Sequence, residues 1–169
     1  VHPSGTSTLI RTFVQFWAIE WVFFMTEVCA LAFYYYSWGK VSTKTHIKIG
    51  WIYFGSAWGS LFVINGILSC MLTSGGLAET GNPWNGFFNG MFLPMLILRT
   101  CVCFGLAGVY AFFTASDLED EDLKERVLKW SARWLLPAFF LVLPAGLWAF
   151  FMIPESSQEL LMGGLSGTA

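Results

Sequence analysis

Two carboxylates, Glu20 and Glu27, lie inside the run Trp17-Ala18-Ile19-Glu20-Trp21-Val22-Phe23-Phe24-Met25-Thr26-Glu27-Val28-Cys29, which is apolar enough to cross a bilayer. An acidic side chain at the centre of a spanning helix costs roughly 2.5 to 3.5 kcal/mol on insertion scales. Such residues therefore face a bundle interior and mark ion or proton pathways. At about 100° per residue, a spacing of seven brings Glu27 to within about 20° of Glu20 and about 10 Å along the axis. The pair forms a ladder on one helix face, and the chemistry it offers is stepwise proton transfer.

Other polar groups are expected at the same depth. Glu20 lies about 11 residues below Leu9, and Arg99 about 11 residues below Phe88, each roughly 16 Å into its run. Asn65 is some 8 or 9 residues from the outer end of its own run. A carboxylate, a guanidinium and an amide at one level can satisfy one another away from water. Two readings follow. Glu20 and Arg99 can form a buried structural ion pair, or the group can serve a proton path or cofactor pocket. A structural pair has no need of Glu27, which favours the second. His2, at the outer edge, is placed to approach a haem or quinone. His46, among the lysines of a loop, reads as solvated. The four cysteines, Cys29, Cys70, Cys101 and Cys103, all lie in apolar runs and read as small buried hydrophobes. Without a C-x-x-C-H, covalent c-type haem attachment within these residues is excluded.

The elements that must position these residues are helices in a membrane. The chain is 56% hydrophobic and only 12% charged, about half the charged fraction of soluble domains. Its apolar mass lies in four runs, giving an all-α integral membrane chain with helices over about residues 9–38, 47–73, 88–115 and 130–153. Gly55-Ser56-Ala57-Trp58-Gly59 is a G-x-x-x-G that favours close helix packing. Residues 74–87, rich in Gly, Asn and Pro, read as a loop. Residues 116–129 read as a charged helical extension, opened by a capping box at Ser116-Asp117-Leu118-Glu119 and carrying the pairs Asp122 with Arg126 and Glu125 with Lys129. A net charge of −2 offers no footprint for nucleic acid.

Lys40, Lys44, Lys48, Lys124, Arg126, Lys129 and Arg133 fall on one side, and the other side has only Arg11. The positive-inside rule puts that basic side in the cytoplasm and the N-terminus outside. With no Met at the start, residues 1–169 read as a single transmembrane domain belonging to a longer subunit.

Ala18-Ile19-Glu20, Glu27, Trp38-Gly39-Lys40 and Val63-Ile64-Asn65-Gly66 resemble the third and fourth helices of subunit I of cytochrome bd-type quinol oxidases. Pro154-Glu155-Ser156-Ser157 followed by Met162-Gly163 resembles the periplasmic segment after that subunit's sixth helix. The order of these features covers nearly the whole chain and is most similar to a divergent bd-like branch found beside multihaem c-type cytochromes.

The resemblance implies a multi-pass subunit in the bacterial inner membrane, an oxidoreductase component using quinol and haem b or haem d. A subunit II-like protein and periplasmic c-type cytochromes are the implied partners. It also implies that Glu20 lies beside a haem, and that Glu27 and Asn65 line a proton route, with Ser56 or Ser60 near a further position on it. Two features depart from the family. The carboxylate spacing is one residue shorter. Leu98-Arg99-Thr100 stands where the family has a histidine that ligates a haem, so Arg99 is expected to pair with Glu20 or with a haem propionate, and the axial ligands are expected outside this stretch. A haem-free anchor for partner cytochromes is the alternative. A proton-coupled transporter shares the intramembrane acids but lacks the broken helices such sites favour.

Overall fold

The structure, a computed structural model, describes residues 3–155 and Gln158, with side chains from Ser7 onward. The four apolar runs form four long helices: α2 (Val14–Tyr36), α3 (Thr43–Leu72), α6 (Phe92–Ser116) and α7 (Glu121–Met152). Each is long and apolar enough to cross a membrane, and among the described residues there is no strand. At 1.5 Å per residue even the shortest spans roughly 35 Å, more than the hydrocarbon core of about 30 Å. The chain is thus an all-helical, multi-pass membrane protein. Its described residues fall into two compact units that meet between Asn89 and Gly90.

In the first unit, a further helix, α1 (Pro3–Thr12), precedes α2. Phe13, at φ −107° and ψ 25°, interrupts the helical geometry. The bonds from Phe13 N to Leu9 O and from Trp17 N to Phe13 O nonetheless carry the ladder across. The first helical stretch therefore begins well before residue 9 and ends at Tyr36 rather than 38. α3 starts one turn before residue 47 because Ser42 caps it, its Oγ accepting from Thr45 N at 3.3 Å.

Phe16, Glu20, Phe23, Glu27, Ala30, Tyr34 and Ser37 are shielded positions on α2 and its C-terminal end. Their spacing alternates between four and three. His46, Ile49, Tyr53, Ser56, Ser60, Val63, Ile67 and Cys70 repeat that alternation on α3. Two such stripes pack as an antiparallel pair along a heptad seam. Of the two glycines in the G-x-x-x-G, only Gly59 makes a close approach. A Cβ there would sit 2.6 Å from Phe23 Cε1, whereas one on Gly55 meets nothing within 4 Å.

The segment expected to be a loop holds two short helices, α4 (Leu77–Thr80) and α5 (Pro83–Phe87). They are separated by Gly81 in the left-handed region, at φ 63°. Phe87 is driven onto Gly66 and stacks on Phe16, ring centroids 4.3 Å apart. Buried Asn89 ties this cap to α3. Its Nδ2 donates to Gly86 O at 2.7 Å and Ser69 Oγ at 3.0 Å, and its Oδ1 accepts from Thr73 Oγ1 at 3.0 Å.

In the second unit, α6 and α7 pack with Gly108 against Leu135, where a Cβ would come within 2.9 Å of Leu135 Cβ. The charged extension and the last apolar run are one continuous helix, although Pro137 and Pro144 lie inside it. No capping box forms at Ser116, which ends α6 and donates to Phe113 O at 2.6 Å. Asp120 is the cap instead, its Oδ1 accepting from Asp122 N at 3.0 Å and Leu123 N at 3.1 Å. Glu125 pairs with Lys129 as expected. The expected Asp122–Arg126 pair is absent among the described residues, and Lys124 instead reaches Glu121 at 3.4 Å.

Candidate functional site

Along most of the α2–α3 seam, apolar side chains interlock. At Glu20 they do not: Ser60 Oγ donates to Glu20 Oε1 at 3.0 Å, and both residues are only partly buried. The bond joins the centres of two helices through a hydroxyl and a carboxylate, a pairing well suited to apolar surroundings.

Glu27 occupies the next equivalent seam position, half-buried and about 10 Å along the axis from Glu20. The register defined by Glu20 with Ser60 and by Tyr34 with His46 puts Glu27 level with Tyr53, and buried Ser56 lies about 4.5 Å further along the axis. Among the described residues Glu27 forms no hydrogen bond or ion pair. The two acids thus share one face, as their spacing predicts.

Asn65 is fully buried. It lies off the heptad stripe and five residues beyond Ser60, about 7 to 8 Å toward the C-terminal end of α3. Glu20 is therefore level with Ser60 rather than with Asn65, since the antiparallel register, not the distance from each helix end, decides which residues meet. Trp17, one turn before Glu20, has its indole Nε1 buried without a hydrogen-bond partner among the described residues. Arg99 is partly buried on α6 in the second unit. His2 lies outside the described residues.

His46 is not solvated. Its ring stacks on Tyr34 at 4.1 Å and meets the edge of Trp38 at 4.8 Å, its Nδ1 lies 3.2 Å from Ser37 Oγ, and its Nε2 is buried without a partner. Sequence reasoning missed this packing because it read the neighbouring lysines rather than the helix face. Lys44 and Lys48 share a face at i and i+4, whereas His46 lies about 200° around from Lys44.

At the end of the first unit that carries α4, a shallow, open cleft of about 380 Å³ is lined by Thr8, Leu9, Thr12, Phe13, Cys70, Ser74 and Leu77.

Comparison with protein-family models, with curated proteins and with solved structures gave no match. The functional case rests on the chain's own residues. His46, the one histidine among the described residues, does not fit a haem iron. Among the described residues no group of three or more His, Cys, Asp or Glu is arranged to hold a metal, and the His46 ring is held on its face, its edge and one nitrogen. No step through a haem is derived for this chain.

Proposed function

We propose that this chain is a proton-handling membrane subunit of a respiratory electron-transfer complex, related to subunit I of the bd-type quinol oxidases. The observation that carries the reading is the polar ladder in the seam, with Glu20 bonded to Ser60 and Glu27 one heptad away. Two acids at positions that would otherwise be filled by Leu or Val are a cost to packing and insertion, which transport of protons or stabilisation of nearby charge offsets.

In this reading the lysine-bearing turn and the charged end of α7 face the cytoplasm of a bacterium, and the N-terminus faces the periplasm. Glu27 lies nearer the basic end and takes up the proton. Glu20, held in one rotamer by Ser60, receives it. Because the carboxylates are about 10 Å apart along the axis, transfer runs through intervening water. Quinol is the electron donor and haem the carrier, with iron ligands supplied outside the described residues. Arg99, permanently charged, neutralises a carboxylate or a propionate. The test is Glu27→Gln in the assembled complex. Turnover falls while assembly and haem content are unchanged; loss of assembly would make Glu27 a structural residue and sink the proton route.

A haem-free anchor for periplasmic cytochromes is the second reading, favoured by the packed His46 and by arginine at residue 99. A reduced-minus-oxidised spectrum with pyridine haemochrome analysis separates them. Bands from b- or d-type haem assigned to this subunit support the redox module, and c-type bands alone leave the anchor.

A further inference from the structure

We propose that the turn joining α2 to α3, with the first turns of α3, is a binding site for the phosphate headgroup of an anionic phospholipid. Lys40, Lys44 and Lys48 are exposed, and no carboxylate pairs with them among the described residues. From Val28 to Ala78 the chain has no acidic residue at all. Lys44 and Lys48, one turn apart on one face, repel each other unless an anion lies between or beside them.

The lysines stand on a fixed base. Ser37 Oγ bonds His46 Nδ1, Tyr34 and Trp38 hold the His46 ring, Gly39 turns the chain at φ 69°, and Ser42 caps α3. With His46 turned inward, the lysine side chains are directed away from the seam. A cation cluster on a rigid turn retains a headgroup at a smaller entropic cost than one on a flexible loop.

What surrounds the lysines argues for a lipid over a soluble anion. Trp51 is 66% exposed and follows Lys48 by three residues, and Ile52 at 54% follows by four, so both continue the lysine face toward the middle of α3. Tyr35, Tyr36 and Trp38 are at least 68% exposed on the other arm of the turn. Aromatic rings at headgroup depth with apolar side chains beneath them match a phospholipid's phosphate and acyl chains in order. A free phosphate would leave that apolar surface unused. The inference rests on the membrane-spanning character of the helices and not on the proton reading of Glu20 and Glu27, so failure of either leaves the other standing.

The test uses the full membrane protein, purified, delipidated and held in detergent. Its thermal midpoint is followed during titration with phosphatidylglycerol, phosphatidylcholine or inorganic phosphate. Each lysine at the surface contributes about fivefold to headgroup affinity, and three together about a hundredfold. Phosphatidylglycerol should raise the midpoint at roughly a hundredfold lower concentration than phosphatidylcholine. The variant K40Q/K44Q/K48Q should erase that preference. K44Q alone, which leaves the His46 base intact, should cost about fivefold. K124Q/K129Q, whose lysines already pair with Glu121 and Glu125, should keep it. Equal response to the two lipids, or an undiminished preference in both K40Q/K44Q/K48Q and K44Q, overturns the proposal. An equal response to inorganic phosphate overturns the lipid assignment in favour of a soluble anion.

Discussion

Ser60 and Glu20 are joined across two membrane-spanning helices by a 3.0 Å hydrogen bond from Oγ to Oε1. Hydrogen bonds between membrane helices contribute about 0.6 kcal/mol on average and up to about 1.7 kcal/mol, and both groups here are only partly buried. Ser60→Ala should therefore lower stability by about 0.5 to 1.5 kcal/mol, read from the thermal midpoint in detergent. Glu20→Gln should behave differently, because the amide oxygen still accepts from Ser60 while the proton-carrying group is gone. Stability close to wild type with turnover lost is the expected result. If Glu20→Gln destabilises as much as Ser60→Ala and leaves turnover intact, Glu20 is a packing residue only.

Glu27 gives the opposite contrast. It occupies a seam position without a hydrogen bond or ion pair in its own unit, so an apolar side chain of similar size should pack there at least as well. Glu27→Leu should leave the thermal midpoint unchanged or raise it, while slowing turnover as Glu27→Gln does. A substantial drop in stability for Glu27→Leu would show that the carboxylate has a partner that holds the helices together.

The heptad stripe of α2 was legible in the sequence because Glu20 and Glu27 are one heptad apart, and seven residues return a helix to the same face. The identity of their partners was not. Ser60 meets Glu20 only because the six residues from Ser37 to Ser42 fix the antiparallel register, and no local pattern on α3 encodes that offset. The end of α6 was misread for a related reason. Ser116 and Asp120 are both good caps with acids following them, but Ser116 is the last residue of α6 and its hydroxyl is held by Phe113 O, which leaves Asp120 to cap α7. The rise in hydropathy near residue 130 reads as an element boundary, yet the residues on both sides of it are helix formers and the helix runs through.

Gly59 and Gly55 should separate under the same substitution. Gly59→Ala forces the Phe23 ring to shift, since the new Cβ would come within 2.6 Å of it, and overpacking of this kind costs about 1 to 3 kcal/mol. Gly55→Ala meets nothing and gains up to about 1 kcal/mol of helix propensity. Thermal midpoints moving in opposite directions would confirm the seam geometry. Equal destabilisation would mean that Gly55 also faces a neighbour.

Asn89 is the last residue of the first unit and the most heavily bonded side chain of its outer cap, with contacts to Gly86, Ser69 and Thr73. Each bond satisfies a group at the end of α3 or in α5 that is shielded from water to some degree, and a neutral pair of this kind contributes about 0.5 to 1.5 kcal/mol. Asn89→Leu is close in volume but removes all three, so it should lower stability by about 2 to 4 kcal/mol and loosen the packing of Phe87 on Gly66. Asn89→Asp keeps the acceptor for Thr73 but sets a carboxylate oxygen against Gly86 O at a buried position, so it should lower stability at least as far as Asn89→Leu. Amide hydrogen exchange across residues 77–88 should quicken in the same order. If the exchange rates of that segment are identical in all three proteins, the cap is held by its aromatic stack on Phe16 rather than by Asn89.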